Sequence, residues 1–147
     1  MAQPKKAKHG KNSPGVEFNH AMVYFRDLTA AMKFYVDQLG FKVIEVYGAA
    51  YARLRSPKGA MTIALHLAEP TQQISSEGVR LYFEVKELDK FCAKLQAAGV
   101  RITESPKMMP WDWRHAYLND PEGHEISLYW AGKKRFQKTA MRRTATA

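Results

Sequence analysis

The sequence predicts an α+β fold of two tandem βαβββ modules. Three observations carry that prediction: one order of elements written twice, helices with an apolar stripe of helical period, and strands that alternate between an apolar and a polar face. At 147 residues, 46% hydrophobic and 25% charged, the chain has the composition of a globular protein, which excludes collagen-like, mucin-like and wholly disordered chains.

Module one is expected over about residues 16–68 and module two over about 78–130, together one domain, 16–130. The first opens with a strand at residues 18–25 (FNHAMVYF) that runs into Arg26-Asp27-Leu28 and a helix. Leu28, Ala31, Met32, Tyr35 and Leu39 fall on one helical face, Asp27 can cap the start, and Gly40 can take the left-handed conformation that ends it. Strands at 41–47, 51–55 and 61–67 follow, the last two joined by the turn Ser56-Pro57-Lys58-Gly59. The second module repeats the plan: a strand from Val79, Lys86-Glu87-Leu88, a helix with Leu88, Phe91, Cys92 and Leu95 inward, a stop at Gly99, and strands at about 101–105, 114–119 and 125–130. The two Arg/Lys-acid-Leu junctions lie 60 residues apart and the two Pro-x-Gly turns 64 apart, as a repeated module requires.

Alternation assigns two faces to these strands. The core face takes Ala21, Val23 and Phe25, Ile63, Leu65 and Leu67, Leu81, Phe83 and Val85, Ala116 and Leu118, and Ile126 and Leu128. The other takes His20, Met22, Tyr24, Thr62, Ala64, His66, Arg80, Tyr82, Glu84, His115, Tyr117, Glu125, Ser127 and Tyr129. That second face is rich in His and Tyr and holds no Lys, a composition suited to a concave pocket with a few convergent polar groups. The plainer alternative is the wet side of a sheet.

The net charge of +9 comes from the ends. Residues 1–15 hold four Lys and residues 131–147 six Lys/Arg, neither with an acid, whereas 16–130 balance 13 bases against 14 acids. Both ends are expected to be basic tails, the N-terminal one disordered for want of anything apolar to bury. A polyanion-binding role would have to rest on the tails, because the domain has no basic field to align a nucleic acid, so nucleic acid is not an expected partner. No signal-peptide core or membrane-length apolar run is present and the single Cys92 cannot pair within the chain, so a soluble cytoplasmic protein with no membrane partner is expected.

His20-Ala-Met-Val-Tyr-Phe-Arg-Asp-Leu28, with Phe34-Tyr35 and Leu39-Gly40-Phe41 after it, resembles the vicinal oxygen chelate superfamily of glyoxalase I, bleomycin resistance proteins and extradiol dioxygenases. Pro110-Trp111 through Arg114, then Asp120-Pro121-Glu122-Gly123-His124-Glu125-Ile126, resembles its closing hairpin and last strand. The resemblance implies a curled mixed sheet around a cavity that a second subunit completes in a homodimer. In metal-dependent members it also implies four ligands, one on the first and last strand of each module, around a divalent ion such as Zn, Ni, Mn or Fe. His20 matches the first position, Ala64 falls on the second with His66 two residues further on, Arg80 falls on the third and Ser127 on the fourth. Ala has no donor, Arg stays protonated and Ser is a weak ligand for a divalent ion. The metal-ligand candidates are therefore His20 and His66, with Glu84 or Glu125 as the carboxylate of a rearranged site.

Two readings of function follow. In the first the metal site is incomplete and the cavity binds a small anionic or aromatic molecule through Arg80, Tyr82, Trp111, Trp113, Tyr117, Ser127 and Tyr129. Arg80 can grip a carboxylate or phosphate, unless it is taken up by Glu84, and Met108-Met109-Pro110-Trp111-Asp112-Trp113 has the indoles and thioethers of a lid over a flat ligand, or of a segment packed on the core or a partner. In the second the protein is a lyase, isomerase or dioxygenase with a rearranged metal site around His20. The catalytic candidates are His20 or Glu125 as general base, with Tyr82, Tyr117 or Tyr129 as acid.

Overall fold

A computed structural model describes residues 15–139. The expected disorder of the N-terminal tail therefore lies outside the described residues, apart from Gly15, as does the end of the C-terminal tail from residue 140.

The described chain forms two four-stranded mixed sheets. Module one contains β1 (His20–Phe25), α1 (Leu28–Met32), β2 (Lys42–Tyr47), β3 (Tyr51–Arg55) and β4 (Thr62–Leu67), with strand order β1-β4-β3-β2. Module two repeats this with β5 (Arg80–Glu84), α2 (Leu88–Ala97), β6 (Ile102–Met108), β7 (Arg114–Asn119) and β8 (Glu125–Trp130), in the order β5-β8-β7-β6. In each sheet the first strand runs parallel to the last and the other pairings are antiparallel, so the two registers His20↔Thr62 and Arg80↔Glu125 occupy equivalent places. The two sheets do not close on each other through a shared hydrogen-bonded edge.

Asp27 caps α1 as the sequence predicts, its Oδ1 accepting from the Ala30 amide at 2.9 Å. The single helix expected to run on toward Leu39 instead changes winding: Lys33–Gln38 is a π-helix. Both Phe34 and Tyr35 are buried within it. Gly40 then leaves the helix at φ 83° and Gly99 leaves α2 at φ 86°, both in the region the sequence assigned to them. The strand expected at 101–105 extends to Met108, with register shifts around Glu104 and before Lys107; Pro106, which has no amide proton to give the ladder, lies within the second.

One apolar core serves both modules. Phe25, Tyr35, Leu54 and Leu65 from the first are buried in the same cluster as Leu95, Leu118, Ile126 and Leu128 from the second. The rings of Tyr35 and Phe41 meet Phe83 at 6.3 and 5.5 Å, and Phe25 meets His124 edge-on at 5.0 Å. No helix among the described residues is long and apolar enough to cross a membrane. Residues 132–136, expected as part of a solvated tail, form a 3-10 helix directly after β8.

Candidate functional site

The face of module two turned away from the helices carries the densest arrangement of functional side chains. Its centre is His115, on β7 and 1% exposed. Tyr117 stands two residues further along the same strand face, with its ring nearly parallel to the imidazole at 5.7 Å. β8 contributes Ser127 and Tyr129, and β5 contributes Arg80 and Tyr82, because the parallel register sets Tyr82 beside Ser127 and Arg80 beside Glu125. The ring of Tyr82 meets His115 and Tyr129 edge-on at 5.9 and 5.7 Å. Trp113 lies parallel to both His115 and Tyr129, at 6.1 and 5.5 Å. This is a set of offset aromatic planes, the geometry in which ring pairs attract.

Hydrogen bonds fix the state of the imidazole. The Trp111 indole N–H donates to His115 Nε2 at 3.1 Å, so that nitrogen carries a lone pair. The proton of the neutral ring then sits on Nδ1, which donates to Ser127 Oγ at 2.7 Å. Burial, and after it the positive charge of Arg80, hold His115 below the usual imidazole range, in keeping with a neutral ring. Burial also pushes the Tyr117 and Tyr129 hydroxyls above the usual phenol range. With both nitrogens engaged, His115 is a structural hub rather than a free base. The sequence placed it on this face by alternation with Tyr117, but nothing local marked it as the centre.

Arg80 stands at the rim. Its Nε donates to Glu125 Oε2 at 3.1 Å, a terminal nitrogen lies 3.0 Å from the same oxygen as an ion pair, and its guanidinium lies 5.0 Å from the centre of the Tyr117 ring. The Tyr82 hydroxyl, then Glu125, raise the guanidinium pKa further, so it is always charged. One N–H bonded to a carboxylate oxygen leaves the guanidinium fork with further donors to give. The Glu84 pairing considered from the sequence does not form. Glu84 Oε2 instead accepts from the amides of Ala131 and Gly132, at 3.3 and 3.1 Å.

On the equivalent face of module one, His20 is exposed and its Nδ1 shares a hydrogen bond with Thr62 Oγ1 at 2.7 Å. His66 Nδ1 donates to its neighbour's carbonyl, Leu67 O, at 2.7 Å, and the ring packs against Tyr24 and Tyr51. Thr62 is the register partner of His20, and His66 lies four residues further along β4, roughly 13 Å at the usual strand rise. One ion does not span that distance, and the residue between them on the face is Ala64.

The donor set therefore does not fit the divalent ion that the resemblance implies. The four equivalent positions hold an imidazole, a methyl, a guanidinium and a hydroxyl that is already bonded to His115, while the nearby carboxylates Glu84 and Glu125 are engaged with amides and with Arg80. Among the described residues no three His, Cys, Asp or Glu side chains converge as a metal site.

A cleft of about 230 Å³ opens between β1 and the start of module two, reaching Val23, Leu81 and His124, and the aromatic residues around His115 do not line it. Met22 and Tyr24 of β1 and Glu125 of β8 line it, and residues 72–76 of the connection between modules close one side.

Comparison with known proteins agrees with this architecture. Residues 17–128 match the family described as the Glyoxalase/Bleomycin resistance protein/Dioxygenase superfamily. A superfamily member from Sphaerobacter thermophilus DSM 20745 is similar at a TM-score of 0.65 and 24% identity, over 79% of this chain and 98% of that one. A lactoylglutathione lyase from Agrobacterium tumefaciens is similar at 0.68 and 18% identity, over 86% and 100%. A glyoxalase/bleomycin resistance protein from Streptomyces sp. CB03234 is similar at 0.60 and 28% identity, over 76% and 98%. No curated protein matches the chain. With three quarters of its length matched by the family and both modules in the expected topology, the chain belongs to the glyoxalase/bleomycin resistance protein/dioxygenase superfamily.

Proposed function

We propose that the protein is a small-molecule-binding member of the superfamily, whose aromatic face takes a flat ligand bearing a carboxylate or similar anion. The observation that carries this reading is the pairing of parallel aromatic planes, Trp113, Tyr129, His115 and Tyr117, with a charged guanidinium at their edge. Stacking supplies sequestration of a flat ring from water, and Arg80 supplies the anion contact, exchanging part of its hold on Glu125 for the ligand. Such binding needs no ligated metal, consistent with a donor set of Ala64, Arg80 and Ser127.

A second copy of the chain completes the cavity in this reading. Met22, Val79, Tyr82 and Met108 are large apolar side chains left exposed on or beside the site strands, and a partner would cover them. The near-neutral domain offers no charge barrier to self-association.

The test is calorimetric titration of 1-naphthoate and of the uncharged 1-naphthalenemethanol into EDTA-dialysed protein and Arg80→Met, with sedimentation velocity for the assembly. The reading expects the carboxylate to bind about tenfold better than the alcohol, and that preference to vanish in the variant. Equal affinity for the two probes in the wild type, or a preference unchanged by Arg80→Met, refutes it.

A further inference from the structure

The turn Trp111-Asp112-Trp113 covers the His115–Ser127 pair, and its two indoles do so in different ways: Trp111 caps His115 Nε2 and Trp113 stacks on the ring. His115, Ser127 and Tyr129 are 1%, 0% and 6% exposed, so the polar centre of the face is buried, with the turn on one side and Tyr82 and Tyr117 on the others. Backbone hydrogen bonds from the Met109 amide to Trp113 O and from the Asp112 amide to Met109 O, both 2.9 Å, close the turn as a short hairpin loop. Asp112, at φ 65°, is the sole left-handed non-glycine residue among those described, a conformation that Asp takes more readily than most residues.

A further, long-range contact to the turn comes from the segment after β8. Lys134 Nζ reaches back to Asp112 and donates twice, to Oδ2 at 2.5 Å and to the backbone carbonyl at 3.3 Å. The 3-10 helix that carries Lys134 is itself tied to the site sheet, because Glu84 Oε2 on β5 accepts from the amides that begin it. A chain of contacts thus runs from β5 through residues 131–134 to the apex of the turn.

We infer that Lys134 is a positioning residue that latches the Trp111–Trp113 turn shut over the aromatic face, so that the segment following the last strand governs access to it. The inference rests on the reading of that face as a ligand site. Lys134 and Asp112 are about half and two-thirds exposed, so the latch is weak by construction: an exposed pair of this kind shifts a closed-to-open equilibrium by roughly two- to fivefold and is screened by salt. A cover that must open for a ligand needs a restraint of that size rather than a permanent one.

The experiment is solvent exchange of the Trp111 indole proton, followed by NMR in the full chain, for wild type, Lys134→Met and Lys134→Arg at low and high salt. The latch expects exchange two- to fivefold faster in Lys134→Met, wild-type rates in Lys134→Arg, and a salt-induced acceleration in wild type that Lys134→Met lacks, with core amides such as Phe25 unchanged. Identical rates and salt response in wild type and Lys134→Met overturn it. Parallel titration with 1-naphthoate separates the two ideas: a wild type that binds no probe defeats the ligand-site reading, while the exchange rates still decide whether Lys134 restrains the turn.

Discussion

Tyr35 and Asp120, 85 residues apart in the chain, meet through a buried 2.9 Å hydrogen bond from the Tyr35 hydroxyl to Asp120 Oδ2. The bond joins the π-helix of module one to the β7–β8 turn of module two. The carboxylate also accepts from the Glu122 and His124 amides and from His124 Nδ1. Burial, reinforced by the Asp120 carboxylate, drives the Tyr35 hydroxyl well above the usual phenol range, so it stays a donor.

Removing that hydroxyl with Tyr35→Phe keeps the ring and its packing but leaves a fully buried carboxylate oxygen short of one partner. We expect a loss of about 1–3 kcal/mol in urea unfolding with an unchanged m-value. Asp120→Ala should cost more, because it orphans the Tyr35 hydroxyl and two backbone amides together. An effect of Tyr35→Phe indistinguishable from zero would show that the modules are held by their shared apolar core alone.

Cys92 provides a probe of α2. It is 2% exposed and its thiol is pushed up to about 11, by burial first and by Asp89 second. The thiolate is the reactive form, so the native protein should resist iodoacetamide at pH 8 and be labelled fully in urea. Rapid labelling of native protein, read by intact mass, would mean that α2 opens without global unfolding.

The departures between sequence and structure have physical causes that particular residues show. Strand alternation is local, so it correctly grouped His115, Tyr117, Ser127 and Tyr129 on one face. The π-helix, in which Leu39 N bonds Phe34 O at 2.9 Å, leaves no mark in the apolar spacing, and the partner of the Tyr35 hydroxyl it carries lies in the other module. The same holds for Arg80, whose choice of Glu125 over Glu84 is fixed by the β5–β8 register, which no single strand encodes. Lys134 reads as one more basic residue in a basic run, and only the fold brings Asp112 to it.

Metal reconstitution tests the donor-set argument. Protein dialysed against Zn, Ni, Mn or Fe(II) and then desalted should retain well under one ion per chain by elemental analysis, and His20→Ala should retain the same amount. Stoichiometric retention that His20→Ala abolishes would mean that two chains bring donors together which one chain keeps apart, and the metal-dependent reading around His20 would then displace the binding one.

His115 gives a pH dependence whose sign follows from its environment. Burial and Arg80 lower its pKa in the folded protein relative to the unfolded chain, where it titrates near 6.5. The unfolded state therefore takes up the proton first on acidification. The stability that comes from holding this ring neutral is fully present above about pH 6.5 and is lost as pH falls through that value toward the folded pKa. Protonation of Nε2 would also set an N–H against the Trp111 indole N–H, breaking the cap. His115→Asn should lower stability by about 1–3 kcal/mol at pH 7.5 through its lost hydrogen bonds and stacking. It should also flatten the fall in urea midpoint between pH 7.5 and 5. A variant that keeps the wild-type slope would place the proton uptake elsewhere and remove the case for a neutral, doubly engaged His115.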